Sequence, residues 1–170
     1  MRIAGLIRND VVNGYDVCVS VWVQGCPFHC DGCHNPQTWS FGLGIEVEED
    51  DFIHQVIAAI GDNNIQRNLS LLGGEPLCEQ NAPFVEKLIN EVKEVYPNIK
   101  IYIWTGYKWE DLTSDQMRVV ELSNVIIDGE FQLQLRDISL PFRGSSNQRI
   151  IDVRKSIRSG DIITQEGLKE

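Results

Sequence analysis

Strand-like and helix-like segments alternate along most of this chain, and this order limits the folds it can adopt. Four apolar segments each end in small or polar residues, at Gly25-Cys26, Gly73-Gly74-Glu75-Pro76, Thr105-Gly106-Tyr107 and Asp128-Gly129. A helical pattern lies between each consecutive pair, over Asp50–Ile60, from Pro83 onward, and within Lys108–Leu122 with a break near Thr113-Ser114. Strands joined by helices run parallel, with right-handed crossovers. The sequence therefore predicts an α/β fold with a mostly parallel sheet.

The first part of the chain predicts an antiparallel hairpin instead. Its arms are Arg2–Arg8 and Asp16–Gln24, joined by a turn at Val12-Asn13-Gly14, and valines alternate with other residues in the second arm. The carboxyl ends of parallel strands form a ligand-binding edge, so we expect the four strand-end clusters to meet at one site. Because the units are too few for an eight-stranded barrel, we expect an open partial (β/α) barrel in one domain spanning residues 1–170.

Composition excludes several classes of partner. The chain has 170 residues, 42% of them hydrophobic, which suits one domain without a structural staple. Its formal net charge of −10 opposes binding to nucleic acid or to an anionic membrane. Neither a long apolar run nor a secretory signal is present, so we expect a cytoplasmic protein. The C-terminal part of the chain is rich in basic residues, which form either a local basic patch or a solvated basic tail. These residues are Arg143, Arg149, Arg154, Lys155 and Arg158.

Three of the five cysteines lie within eight residues, as Cys26-Pro-Phe-His-Cys30-Asp-Gly-Cys33. An odd number crowded in this way does not indicate a disulfide framework. Soft thiolates select iron–sulfur clusters, zinc or Cu(I), and three protein ligands leave one metal position open to a substrate. A structural zinc site with His29 or His34 as the fourth ligand is the alternative, although this spacing is uncommon for zinc.

The cysteine loop resembles the signature of the radical S-adenosylmethionine superfamily. Many members have an aromatic residue before the third cysteine, where this chain has Gly32. With that departure, Cys30-Asp-Gly-Cys33-His-Asn and the following Thr38-Trp39 are similar to the anaerobic ribonucleoside-triphosphate reductase activating proteins. Further motifs follow in that family's order, namely Val12-Asn13-Gly14, Gly73-Gly74-Glu75-Pro76-Leu77, Trp104-Thr105-Gly106-Tyr107-Lys108, Val125-Ile-Ile-Asp128-Gly129 and Arg143-Gly-Ser-Ser-Asn147-Gln. The resemblance ends at about Ile151, and we assign the tail beyond it no role.

The resemblance implies a radical enzyme with two cofactors. Cys26, Cys30 and Cys33 would bind a 4Fe–4S cluster whose open iron binds S-adenosyl-L-methionine. One electron entering the cluster would cleave the cofactor to a 5′-deoxyadenosyl radical. That radical would take a hydrogen atom from a glycine of the partner, the large subunit of an anaerobic (class III) ribonucleotide reductase. The expected electron donor is a reduced flavodoxin.

The resemblance also implies a set of S-adenosylmethionine contacts. The backbone of Gly74 and the side chain of Glu75 would hold the ammonium group of the cofactor. Plain turn geometry is the alternative explanation for the glycine-rich turns. The full predicted set is Gly32, Cys33, His34, Gly73, Gly74, Glu75, Thr105, Asp128, Arg143, Ser145 and Asn147.

Three other functions are consistent with parts of the sequence. The first is activation of a different glycyl-radical enzyme, such as pyruvate formate-lyase. The second is a radical enzyme acting on a small molecule, such as a deazaguanine-forming synthase. The third is a zinc-stabilised binding module without catalysis. The remaining two cysteines follow no ligand spacing, and we expect Cys18 in the core and Cys78 in a structural role.

Overall fold

Seven strands form a single sheet in the computed structural model, which describes residues 1–165. The strands are β1 (Arg2–Asp10), β2 (Cys18–Val23), β3 (Ile45–Glu46), β4 (Asn68–Gly73), β5 (Ile101–Trp104), β6 (Val125–Asp128) and β7 (Arg149–Asp152). The α-helices are α1 (Glu49–Ile60), α2 (Ala82–Val95), α3 (Ser114–Glu121) and α4 (Val153–Ser159). Across the sheet the strand order is β3-β1-β2-β4-β5-β6-β7.

The four central strands β2, β4, β5 and β6 are parallel, as the alternation of strands and helices predicts. The predicted hairpin is also confirmed, because β1 pairs antiparallel with β2. Two strands were not predicted, namely β3 and β7, which pair antiparallel with β1 and β6. These two strands are the edges of the sheet, so the sheet is open and mixed.

One face of the sheet carries the main hydrophobic core. Val21, Leu71, Ile103 and Ile126 lie side by side on the four parallel strands and are fully buried. The apolar stripes of α1 and α2 belong to the same cluster, which confirms both predicted helices. Val95, however, is 51% exposed, because it is the last residue of α2. Burial of this face fixes the register of the parallel strands.

The opposite face is covered at one end by the turn between β1 and β2. Ser70 and Tyr102 are paired in register there and are buried. Gly14 lies against them with φ of +145°, and a Cβ atom on it would be 2.3 Å from Cys18 Sγ and 2.9 Å from Ser70 Oγ. Only glycine combines that backbone conformation with that close approach. The turn therefore covers this face of the sheet beside Cys18, Ser70 and Tyr102.

The predicted break in the third helical region is a helix cap. Thr113 Oγ1 accepts a hydrogen bond from Gln116 N at 3.3 Å, and Gln116 Oε1 accepts one from Thr113 N at 2.9 Å. This reciprocal pair is a capping box, which fixes the first residue of α3. A short 3₁₀ turn over Trp109–Asp111 precedes it.

The segment after Ile151, which had no predicted role, is part of the fold. Asp152 caps α4 by accepting from Lys155 N at 2.9 Å, and Gly160 ends the helix with φ of +79°. Val153 is fully buried in the main core. Residues 166–170 of the tail lie outside the described residues. Among residues 1–165, no helix has both the length and the apolar character needed to cross a bilayer.

Candidate functional site

A cavity of about 340 Å³ lies at the carboxyl ends of the central strands, where the sequence predicts the site. This volume is typical of small-molecule sites. The cysteine loop contributes Cys26, Phe28, Cys30, Cys33, His34, Asn35, Thr38 and Trp39. The strand ends and the turns after them contribute Leu72, Gly73, Gly74, Glu75, Trp104, Thr105, Gly106 and Gly129. The hairpin turn adds Val12 and Asn13, and the segment before β7 adds Phe131, Phe142, Arg143, Gly144 and Gln148.

Backbone hydrogen bonds bring the three cysteines of the loop to the cavity. Cys26 N donates to Trp39 O at 3.0 Å, which joins the two ends of the loop. Cys33 N donates to Cys30 O at 3.1 Å, and Asn35 N donates to Cys33 Sγ at 3.4 Å. All three thiols therefore belong to one compact turn.

The environment of Cys26 and Cys30 favours the neutral form of their thiols. Burial raises the pKa of Cys26. Burial, and next the Glu130 carboxylate, raise the pKa of Cys30 to about 12. A thiol must lose its proton to bind metal, so a bound cation has to supply the missing stabilisation. Among residues 1–165, no three His, Cys, Asp or Glu side chains are close enough together to hold a single metal ion.

The donor set fits an iron–sulfur cluster beside an organic cofactor. Three thiols are the soft ligands that such clusters take, and Cys26, Cys30 and Cys33 would each hold one iron. Trp104, Phe131 and Phe142 give the cavity an aromatic wall, and Arg143 adds a cationic group. An apolar cavity with a few polar groups is typical of cofactor sites, and a guanidinium group suits a carboxylate.

The glycine pair after β4 packs against the base of the cysteine loop. A Cβ atom on Gly74 would lie 2.3 Å from Gly25 O. Glu75 N donates to that same oxygen at 2.8 Å, and Gly74 N donates to Val23 O at 2.8 Å. Gly73 has φ of +106°, a conformation that favours glycine. The close approach of these two segments by itself explains why glycine occupies position 74.

Glu75 joins the turns after β4 and β5. Its Oε1 accepts from Leu77 N at 2.9 Å and from Thr105 Oγ1 at 2.8 Å, and its Oε2 accepts from Gly106 N at 2.7 Å. The residue is only 1% exposed. Burial raises the pKa of this carboxyl from 4.5 to about 7, although the hydrogen bonds oppose the shift.

Glu75→Gln is expected to change how stability depends on pH. The folded state binds the proton of Glu75 more tightly than the unfolded state, because the folded pKa is about 7 instead of 4.5. Protonation of Glu75 therefore adds up to roughly 3 kcal/mol to the free energy of unfolding. This stabilisation is complete below about pH 4.5 and is lost as the pH rises through about 7. Glutamine does not titrate, so the wild type should lose stability relative to the variant over this range. Urea unfolding of the two cluster-free proteins at several pH values measures the difference. Parallel pH profiles would contradict this expectation.

Four predicted cofactor contacts lie outside the lining of the cavity. A Cβ atom on Gly32 would be 2.8 Å from Leu133 Cδ1, so this glycine packs against a side chain. Ser145 is fully buried, and its Oγ accepts from Gln132 N at 3.2 Å. Gly32 and Ser145 therefore contact the segment before β7 and not the cavity. The four residues are Gly32, Asp128, Ser145 and Asn147, the last of which donates from Nδ2 to Glu130 O at 2.8 Å.

Asp128 is fully buried and is paired with Arg149 of β7. Arg149 Nε donates to Asp128 Oδ1 at 2.9 Å, and Trp109 N donates to Asp128 Oδ2 at 2.9 Å. Arg149 also binds Glu110 through both terminal nitrogens, at 2.8 and 2.7 Å. Hydrogen bonding to Arg149 lowers the pKa of Glu110 to about 2. This network attaches β7 to the turn after β5.

Asp128→Asn is expected to destabilise the protein by about 2–3 kcal/mol, because it removes a fully buried carboxylate that pairs with the partly buried guanidinium of Arg149. The retained Glu110 contact keeps the loss below that of a fully isolated charge. Chemical denaturation measures the loss. The control is Asp111→Asn, an exposed aspartate of the neighbouring turn, which should change stability by less than about 0.5 kcal/mol. Equal effects of the two changes would contradict the role of the network.

Gln148, which was not a predicted site residue, organises the segment before β7. Its Oε1 accepts from Gly144 N at 2.8 Å, and its Nε2 donates to Gly129 O at 2.9 Å. Trp104 Nε1 donates to Phe142 O at 2.8 Å. These bonds hold the wall of the cavity against the ends of β5 and β6. The signal for Gln148 was its place in the Arg143-Gly-Ser-Ser-Asn147-Gln motif.

Several relatives of this chain among known proteins carry the same name. A family profile described as a 4Fe-4S single cluster domain matches residues 12–151. The anaerobic ribonucleoside-triphosphate reductase-activating protein of Escherichia coli (strain K12) is 41% identical over 149 residues, covering 85% of this chain and 94% of that protein. This chain belongs to that family. Relatives of the same name are 37% identical in Haemophilus influenzae, covering 83% of this chain and 91% of the relative, and 36% identical in Enterobacteria phage T4, covering 83% and 87%.

Membership of the reductase-activating family confirms the family that the motifs predicted. Every residue that lines the cavity falls within the matched residues 12–151. Among solved structures, a crystal structure of QueE from Escherichia coli matches with a TM-score of 0.46 and 16% identity, covering 75% of this chain and 70% of that one.

Proposed function

We propose that this chain activates an anaerobic ribonucleoside-triphosphate reductase by radical chemistry. Cys26, Cys30 and Cys33 bind a 4Fe–4S cluster, and S-adenosyl-L-methionine binds at the open iron. The reduced cluster would pass one electron to the bound S-adenosyl-L-methionine. The C5′–S bond would then break to give methionine and a 5′-deoxyadenosyl radical, and this radical would take a hydrogen atom from a glycine of the reductase. The observation that carries this proposal is the meeting of three thiols and the turns after β4, β5 and β6 in one cavity, in a member of the activating family.

The side chains around the cavity divide the binding of the cofactor between them. Glu75 would hold the ammonium group, whose positive charge favours the ionised form of this buried carboxyl, and Arg143 offers positive charge for the carboxylate. Phe131 and Phe142 give the adenine an apolar wall and exclude water, which protects a reactive radical from side reactions. His34, Gly73, Gly74 and Thr105 complete the proposed contacts within the lining.

The proposal extends to the fold and to the source of the electron. We infer that the open sheet curves into a partial (β/α) barrel within a single domain, with the cavity on its concave side. A reduced flavodoxin is the proposed electron donor. The large subunit of the reductase, which carries the glycine, is the proposed partner.

The test is a cleavage assay on anaerobically purified protein reconstituted with iron and sulfide. After reduction with dithionite, S-adenosylmethionine is added with and without the large subunit of an anaerobic ribonucleotide reductase. The expected products are 5′-deoxyadenosine, measured by chromatography, and a glycyl radical, seen as a doublet by electron paramagnetic resonance.

The other candidate functions are distinguished by the same assay. Cleavage without the doublet would redirect the proposal to another glycyl-radical enzyme, such as pyruvate formate-lyase, or to a small substrate. A colourless protein that contains zinc and no acid-labile sulfide would overturn the proposal in favour of a binding module. A protein with a verified cluster that leaves S-adenosylmethionine intact would overturn the radical mechanism.

A further inference from the structure

Asn81 occupies a helix cap but does not use its side chain to cap the helix. It is the N-cap residue of α2, where asparagine usually accepts a hydrogen bond from the first turn, and no such bond is present. Its Nδ2 instead donates to the carbonyl oxygens of Gln24 at 3.1 Å, Gly25 at 3.3 Å and Glu75 at 2.9 Å. Asn81 is 3% exposed. Three converging acceptors fix which end of the amide faces them.

Gln24 is a second buried amide, placed immediately before the cysteine loop. Its Nε2 donates to Gln37 O at 3.0 Å and to Ser40 O at 2.7 Å, and the residue is 3% exposed. Because Gln24 precedes the loop and both acceptors follow it, this side chain closes the loop across its base. Its own carbonyl oxygen is one of the acceptors of Asn81. Asn81 thus binds the backbone of Gln24, and the side chain of Gln24 binds the backbone on the far side of the loop.

The residue between Gln24 and Cys26 makes this support necessary. Gly25 has φ of +97°, a backbone conformation that favours glycine. Because glycine has no side chain, it does little to hold the next peptide bond in one orientation. Its carbonyl oxygen accepts from both Asn81 Nδ2 and Glu75 N. These two donors fix the orientation of the peptide that leads into Cys26. They also fix the distance between the cysteine loop and the turn after β4.

We propose that Asn81 and Gln24 are positioning residues for the iron–sulfur cluster. They act through the backbone on either side of the three cysteines and do not touch the cluster. This role rests on the proposed function, because it requires that the loop bind a cluster. Replacing residues that orient metal ligands without binding the metal typically changes metal affinity by about 10- to 100-fold.

The first test compares Asn81→Asp with Gln116→Glu in the reconstituted full-length protein. Aspartate is a good N-cap residue, so α2 is retained, but it presents an oxygen instead of a donor to the three carbonyl groups. Gln116 is a matched control, because its Nε2 donates to Leu77 O at 3.0 Å, it is 8% exposed, and glutamate preserves its capping box. The readouts are the rate of iron release to a ferrous chelator and the midpoint potential of the cluster by electron paramagnetic resonance.

Iron release from Asn81→Asp is expected to be about tenfold faster than from the wild type, with a shifted midpoint potential. Gln116→Glu is expected to match the wild type in both. The positioning role is overturned if Asn81→Asp keeps the wild-type rate and potential, or if Gln116→Glu releases iron as fast. Gln24→Glu, which removes the donor to Gln37 O and Ser40 O, should also release iron faster, and it decides the question if Asn81→Asp does not fold. A wild-type protein that takes up no iron would instead overturn the proposed function.

Discussion

Cys30→Ala is expected to lose the iron–sulfur cluster completely while the protein keeps its fold. Cys30 lies in a loop at the cavity and is only half-buried, whereas the sheet and its helices have their own core. Two remaining thiols cannot hold a cube that uses three. We therefore expect background iron and sulfide after reconstitution and no 5′-deoxyadenosine. The melting temperature of the cluster-free variant should stay within about 4 °C of the cluster-free wild type, as expected for a loss below about 1 kcal/mol.

Cys18→Ala is the matched control for that experiment. Cys18 is fully buried on the sheet beneath the hairpin turn and does not line the cavity, which agrees with its predicted place in the core. This variant should lose about 1 kcal/mol of stability and retain full iron content. If Cys30→Ala cleaved S-adenosylmethionine at the wild-type rate, or if Cys18→Ala lost the cluster, the ligand assignment would be wrong.

Gly74→Ala is expected to damage both stability and cluster binding, although it adds one methyl group. That methyl carbon would lie 2.3 Å from Gly25 O and 2.8 Å from Gly25 C. Both are backbone atoms and cannot rotate away, so the two segments must separate. Such overpacking costs about 2–3 kcal/mol. Because Gly25 immediately precedes Cys26, the separation also displaces the first proposed ligand, and iron content should fall together with stability.

Gly42→Ala provides the control within the same region of the chain. A Cβ atom on Gly42 would come no closer than 3.9 Å to any other group, the Ser40 hydroxyl being the nearest. Denaturation and iron analysis of the two variants, side by side, should show a loss only at position 74. If Gly74 served only the predicted contact with the ammonium group, a larger side chain would block the cofactor and leave the cluster in place. The contact with Gly25 leads to a different expectation, and normal iron content in Gly74→Ala would contradict it.

The central part of the fold was predictable because its signals are local. Hydrophobic periodicity placed α1, α2 and the parallel strands, and Thr113-Ser114 marked the break before α3, where Thr113 is the N-cap residue. The cysteine spacing likewise placed three thiols together in one loop. Each of these signals lies within a few consecutive residues, so one sequence is enough to detect it.

The last strand was not predictable in the same way. Arg149–Asp152 is four residues long, has no distinctive period, and pairs antiparallel with a strand more than twenty residues earlier. Because β7 was not predicted, the ion pair of Asp128 with Arg149 was not predicted either. A polar residue at a strand end suggested a cavity contact, but the arginine that pairs with Asp128 lies on the unpredicted strand. Asn81 and Gln24 went unnoticed because their contacts depend on side-chain direction, which sequence spacing does not reveal.

The positions of the cavity walls along the chain set an order of events during synthesis. All three cysteines of the loop have been synthesised once translation reaches residue 33. Phe131, Phe142 and Gln148, which complete the cavity wall around them, are synthesised later. A ribosome adds about 5–20 residues per second, so the thiols wait on the order of 10 s for the rest of their enclosure. During that interval the nascent chain presents bare cysteines to the cell. Under the proposed function, an enclosed cluster can form only after translation has passed Gln148, and an oxidant that arrives earlier meets thiols without that enclosure.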